Sequence, residues 1–188
     1  MTIQPKGTEI GYQVTWLEMT RRPAYDWPHQ PAGEPATLTR ADAPPVWYFL
    51  ALYRAVGRDY AWEDLLEGAE ERLAAWLSDD AVSLWTLTKK GWPHGFFILD
   101  SREAGVTDIA YFGLVPEAVG AGLGTYLLRT AILTAWEKPG TRKLTVNTCT
   151  LDHPRALAAY QKAGFTPVRR EEKTRILTRD RDLSRIPD

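Results

Sequence analysis

Three glycines, at 120, 122 and 124, stand between an apolar run that ends near Val115 and an amphipathic run that begins at Leu123. Alternate glycines at a strand-to-helix turn let the main chain approach a ligand closely. The helix N-terminus beyond them offers unpaired N–H groups and the positive end of a dipole to an anion. The segment therefore predicts a ligand that carries phosphate. It is not a Walker A loop, because no Gly-Lys-Ser/Thr follows. Thr125 stands where a dinucleotide fingerprint needs its last glycine, so that motif fits poorly too. From these residues alone, a tight turn that packs a helix onto a strand is the plain alternative.

A second segment runs His153-Pro-Arg-Ala-Leu-Ala-Ala-Tyr-Gln-Lys-Ala-Gly-Phe165. Together the two segments resemble the acyl-CoA site of the GNAT superfamily of N-acetyltransferases. The pyrophosphate loop of that family reads Arg or Gln, two residues, Gly, any residue, then Gly or Ala. Here Val119 stands at the first position, and Gly122 and Gly124 match. Val119 removes one side-chain contact, while main-chain amides over Gly120, Gly122, Leu123, Gly124 and Thr125 still form a cradle. The second family motif is Asn-x-x-Ala-x-x-x-Tyr-x-Lys-x-Gly-Phe. His153 replaces its Asn, and Ala156, Tyr160, Lys162, Gly164 and Phe165 match in register. The resemblance covers residues 80–170 and implies acetyl-CoA as co-substrate.

The resemblance also implies roles. A lysine-type amine has a pKa of about 10.4 and needs a base or desolvation to become a nucleophile. By register, Asp108 falls where some family members carry a base glutamate; a solvated strand-end carboxylate is the alternative. Glu103, Glu117, a water chain, His94 and His153 are weaker candidates. The Leu114 N–H is the expected oxyanion donor, with Phe112 and Leu114 pairing the pantetheine arm as an added strand would. Tyr160 is the expected general acid for the departing thiolate, against the alternative of a buried aromatic. His153 and Tyr160 also line the expected CoA site.

Composition sets outer limits. The chain has 188 residues and a net charge of −1, which suits one domain over residues 1–188 and argues against a general nucleic-acid binder. Cys149 is the only cysteine, so the sequence supports no internal disulfide and no cysteine metal cluster. A reducing, cytoplasmic setting is the simplest expectation. No apolar run approaches the roughly 18 residues of a membrane helix, and no signal-peptide pattern opens the chain.

The elements that must position these residues follow from periodicity. Thr8 to Met19 reads as a strand with Ile10, Tyr12, Val14 and Trp16 on one face. Six prolines, at 23, 28, 31, 35, 44 and 45, exclude a helix or central strand over residues 20–45. Such a loop is a lid or a packed extended crossing. Helices are predicted over Val46 to Val56 and Glu63 to Leu77, the second with an apolar stripe of Leu65, Leu66, Ala69, Leu73, Trp76 and Leu77. Ala81 to Thr88 and Gly95 to Leu99 form a hairpin, and Thr107 to Val115 the next strand. A helix over Gly122 to Trp136, a strand over Lys143 to Thr148, a helix capped by Asp152 and stopped by Gly164, and a strand or hairpin over Thr166 to Thr178 complete the order. The expected fold is α/β (α+β): a mixed, mostly antiparallel central sheet with helices on both faces.

The acceptor side is expected in the N-terminal part. Glu63, Asp64, Glu67, Glu70 and Glu71 would attract a cationic amine, or form an ordinary solvated helix face. Trp47, Tyr48, Tyr60 and Trp62 are either an aromatic wall or core. The acceptor is a small-molecule or peptide amine, with no nucleic acid, membrane or metal involved. An added strand or an exposed aromatic surface offers a route to a homodimer. A non-catalytic acyl-CoA-binding sensor and a nucleotide-binding regulatory domain are the rival readings.

Overall fold

A computed structural model describes residues 2–33, 35–66, 68 and 70–187. In chain order the elements are β1 (Ile3–Gln4), β2 (Glu9–Met19), β3 (Ala36–Ala41), α1 (Val46–Gly57), α2 (Glu70–Leu77), β4 (Val82–Lys89), β5 (Trp92–Asp100), β6 (Val106–Leu114), α3 (Leu123–Trp136), β7 (Lys143–Cys149), α4 (Ala156–Ala163), β8 (Thr166–Ile176) and β9 (Arg181–Asp182). Seven strands form one sheet in the order β3-β4-β5-β6-β7-β2-β8, and β1 pairs with β9. Every neighbouring pair in the large sheet is antiparallel except β6 and β7.

Helices cover both faces, and β5 shows why. Its inner residues are all buried, since neighbours lie above and below. Phe96 faces α1, with its ring centroid 6.1 Å from that of Phe49. The neighbouring Gly95 faces α3: a Cβ there would lie 3.1 Å from Leu127. Strand alternation then assigns Phe97 and Leu99 to the α3 face and Ile98 to the α1 face. The core runs through both layers, from Phe49, Leu52 and Tyr53 of α1 to Leu127, Ala131 and Ile132 of α3.

The sequence expectations differ from this fold in four places. First, β3 lies inside the proline-rich stretch. It begins just after Pro35 and ends before Pro44, and it pairs only with β4 at the sheet edge, where prolines are tolerated. Second, the helix expected over Glu63 to Leu77 begins at Glu70. Residues 63–66 turn instead because Glu63 is drawn into a buried ion network; Glu67 and Ala69 lie outside the described residues. Third, β2 is covered on both faces: Ile10 and Val14 of the expected face are buried, and Leu17 and Met19 of the other face enter the main core. Ile10 joins a smaller cluster with Ala61, Leu151 and Leu177, and a register shift between Trp16 and Leu17 marks a bulge in the pairing with β8. Fourth, Asp152 does not cap α4, whose N-cap position is Arg155. Gly164 does end that helix, in the left-handed conformation with φ 109°. Among the described residues, no helix is long and apolar enough to cross a membrane.

Candidate active site

The sheet opens between β6 and β7. Their parallel pairing covers only Val106–Lys143, Thr107–Leu144 and Asp108–Thr145. Beyond Asp108 the strands part, although β6 continues to Leu114 and β7 to Cys149. A bulge lies at the parting point. Ile98 faces Tyr111 while Leu99 faces Ile109, so Ala110 is the extra residue in β6. Bulges increase local twist, which swings the rest of β6 away from β7. The Val115 N–H donates to the His94 carbonyl at 3.0 Å. Ladder alternation then turns the amides of Gly113 and Tyr111 toward β5, and those of Phe112 and Leu114 into the gap.

The glycine loop lies at the wide end of that gap. Pro116–Ala118 form a single 3-10 turn, followed by the exposed Val119. Gly120 has φ 88° and Gly122 has φ 75°, conformations that side chains resist. A Cβ on Gly120 would meet nothing within 4 Å, so conformation rather than crowding calls for glycine there. Gly122 is the N-cap of α3, with no side-chain cap bond and no acidic residue in the first turn. The first amides of α3, at Leu123, Gly124 and Thr125, are left for an outside acceptor. Leu123 itself is buried and pins the turn.

Tyr160 reaches the gap from α4. It is buried, with its ring centroid 6.2 Å from Phe112 and 5.9 Å from Phe165. Burial raises its phenol pKa strongly, with Asp152 and Asp108 adding to the effect. The Asp108 carboxylate stands at the closed end of the gap, accepting from Thr145 Oγ1 at 2.6 Å. Burial pushes its pKa up, Thr145 opposes, and Asp100 and Glu103 push it up further. A carboxylate held in this way is easier to protonate than an exposed one. His153 accepts from the Arg155 N–H at 3.1 Å, and burial and Arg155 lower its pKa. His94 is buried against Trp92, 3.7 Å between ring centroids, and Glu117 pairs with Arg58 at 2.8 Å. Burial, then the Asp152 charge, pushes the Cys149 thiol up to about 12, which disfavours a thiolate nucleophile.

The α1–α2 connection holds residues whose roles are only partly legible in the sequence. Trp62 donates to Asp152 Oδ1 at 2.9 Å. Asp152 Oδ2 in turn accepts from Thr148 Oγ1 at 2.8 Å and the Cys149 N–H at 2.9 Å. Glu63 is buried and accepts from Thr178 Oγ1 at 2.6 Å and Arg179 Nε at 3.0 Å. Arg179 also donates to the carbonyls of Gly57 and Tyr60, and Arg175 to that of Ala61. Burial pushes the Glu63 pKa up, but the Thr178 bonds and the Arg179 and Arg175 charges outweigh it and hold it below the ordinary glutamate range. The expected aromatic wall is dispersed. Trp47 is exposed, Tyr48 bonds Thr86, and Tyr60 lies 6.2 Å from His153. Trp62 instead packs with Tyr53, Phe96 and Tyr111, at 5.3, 6.5 and 5.8 Å.

Comparison with known proteins agrees with the fold. The family described as Acetyltransferase (GNAT) family matches residues 19–165. No curated protein matches the chain in sequence. Among solved structures, a GCN5-related N-acetyltransferase from Sphaerobacter thermophilus superposes with a TM-score of 0.61 at 17% identity, over 93% of this chain and 53% of that one. An aminoglycoside acetyltransferase from an uncultured soil metagenomic sample, in complex with sisomicin, gives 0.56 at 14% identity over 69% of this chain and 87% of that one. A GNAT family acetyltransferase from Elizabethkingia anophelis with acetyl-CoA bound gives 0.52 at 21% identity over 71% and 78%. This chain spans about half the length of several structures it matches, including the Sphaerobacter protein.

Proposed function

The chain belongs to the acetyltransferase (GNAT) family, and from that premise we propose that it moves an acetyl group from acetyl-CoA directly to the primary amine of a small molecule or peptide. The observation that carries this reading is the gap between β6 and β7, which opens onto the glycine loop at one end and has Tyr160 against its side. The residues fit the co-substrate. A nest of free amides suits its pyrophosphate, and the gap-facing amides of Phe112 and Leu114 suit its extended arm. We place the acyl-CoA core in residues 80–170 and the acceptor side in the N-terminal part of one domain, working in the cytoplasm.

Bound acetyl-CoA supplies a thioester carbonyl; the amine nitrogen forms the new C–N bond there as the C–S bond breaks. Asp108 lies six residues from Leu114 along β6, about 20 Å away, so it takes the proton of the incoming ammonium through a chain of waters along the gap. Its raised pKa makes it a stronger base than an exposed aspartate. The Leu114 N–H holds the carbonyl oxygen as negative charge grows on it. Tyr160 is kept protonated by its raised pKa, and it gives up its phenol proton only as full negative charge forms on the leaving sulfur, then regains one from the amide nitrogen. Val119, Gly120, Gly122, Leu123, Gly124, Thr125 and His153 hold the nucleotide end.

Calorimetric titration tests the first half of the proposal. Acetyl-CoA should bind at micromolar affinity while ATP and NAD do not; no binding of acetyl-CoA overturns it. An amine panel monitored for free thiol tests the second half. Val119, exposed where family members place Arg or Gln, favours one other reading, a non-catalytic acyl-CoA sensor. Binding without turnover across the panel would establish that reading instead.

A further inference from the structure

The Trp62 indole lies across the gap. One end donates from Nε1 to Asp152, in the turn that follows β7. At the other end, Cη2 would lie 3.8 Å from a Cβ placed on Gly113 of β6. The ring therefore spans from one diverging strand to the other. It does so over the stretch where the amides of Phe112 and Leu114 face inward. On the opposite face, the rings of Phe112 and Tyr160 close the gap. Ahead, toward the start of β6, the strands rejoin at Asp108 and Thr145. A ligand arm entering from the glycine loop meets a wall above, below and in front.

The roof has little slack. Trp62 is backed by Tyr53, Tyr111 and Phe96, and Tyr111 by Phe49 and Trp76 at 5.5 and 6.0 Å. Any Cβ on Gly57 would collide with the Trp62 side chain, and one on Gly113 would collide with Val56. Two glycines thus make room for the indole seat. The residue after Trp62 is the buried Glu63, tied to Thr178 and Arg179, so the main chain beneath the ring is anchored as well. Close-packed ring clusters respond to added volume by strain rather than by flow.

We propose that Trp62 is a specificity-determining residue that roofs the β6–β7 gap and limits the acyl chain of the donor to about the length of acetyl. The inference rests on the reading that acyl-CoA occupies this gap. A chain several carbons longer has to displace the indole, break its bond to Asp152 and press on Tyr53 and Tyr111.

Binding alone tests the proposal, without knowledge of the acceptor. Free CoA, acetyl-CoA, butyryl-CoA and hexanoyl-CoA are titrated into the wild-type protein, Trp62→Ala and Asp152→Asn. The wild type should bind hexanoyl-CoA about tenfold or more weaker than acetyl-CoA. Trp62→Ala should abolish that difference while leaving free CoA affinity unchanged. Asp152→Asn keeps the ring but weakens its tether, and should reduce the difference in part. If Trp62→Ala loses free CoA binding through misfolding, Asp152→Asn decides: a reduced difference supports the roof and an unchanged one overturns it. Equal affinity of the wild type for all chain lengths overturns the roof while leaving CoA occupancy intact. Failure of the wild type to bind any CoA species overturns the occupancy reading, and the roof with it.

Discussion

The glycine loop over residues 119–125 and the connection over residues 57–64 border the same gap, but they are built differently. The first is main chain: exposed amides, two left-handed glycines and no side-chain cap. The second is side chain: a buried carboxylate and an indole, each bonded to residues far along the chain, with the guanidiniums of Arg175 and Arg179 closing on it from there. A site of amides can bind an anion with little investment in neighbouring side chains. A site of side chains must be held by its surroundings, and here the hold comes from β8, the segment after it and the turn after β7. The glycine loop should therefore govern affinity for the co-substrate, and the connection should govern stability and selectivity.

The largest expected effects fall inside the gap that the two regions border. Tyr160→Phe should lower kcat by about 10²-fold or more, with acetyl-CoA affinity unchanged by calorimetry. An unchanged kcat removes Tyr160 as the acid. Asp108→Asn should cost a similar factor and abolish the rise of kcat/KM with pH that the wild type shows as this carboxyl deprotonates, above its ordinary range. The sign for stability is opposite to that of a salt-bridged aspartate. A raised folded pKa gives stability that is present at low pH and lost as pH rises through the folded value. Asp108→Asn should thus raise Tm at neutral pH relative to the wild type, and a lower Tm there would assign Asp108 a structural role.

Glu63→Ala strands Arg179 and Thr178, and should cost about 2–3 kcal/mol in urea unfolding, with Arg179's partial exposure softening the loss. The folded pKa of Glu63 is depressed, so its contribution should be present above the ordinary glutamate range and fade as pH falls through the folded value. Gly122→Ala is the smallest change. Its positive φ should cost about 1 kcal/mol of stability, and acetyl-CoA affinity should weaken by several-fold. The contrast between the two regions breaks if Glu63→Ala weakens CoA affinity at unchanged stability, or if Gly122→Ala leaves CoA affinity untouched.

Legibility in the sequence follows the same division. The glycine loop, the helix behind it and the strand before it lie within one continuous segment, where spacing and periodicity can be read directly. The Tyr160 motif is equally local. The Trp62–Asp152 bond joins residues 90 apart, and the Glu63–Thr178 bonds join residues 115 apart. Nothing in the spacing of Glu63, Asp64, Glu70 and Glu71 separates a buried carboxylate from its exposed neighbours. The one available hint was the basic run ending at Arg175 and Arg179, which supplies the partners. Asp152 misled for a local reason: Asp before a helical run reads as a cap, but its oxygens are taken by Trp62, Thr148 and Cys149. Edge strand β3 was hidden by its flanking prolines, which bound the strand without interrupting it.

The seat of β2 carries one more consequence. This strand lies between β7 and β8, and Gln13 bonds partners 137 and 159 residues further along. During synthesis, β2 emerges long before either neighbour exists. It cannot take its place until most of the chain has been made, and closure over such a span slows folding. Through that interval Leu17 and Met19, which end in the core, have no native cover. Birth order and docking order are thus inverted at this strand, and the sheet is completed by inserting an early segment between two late ones.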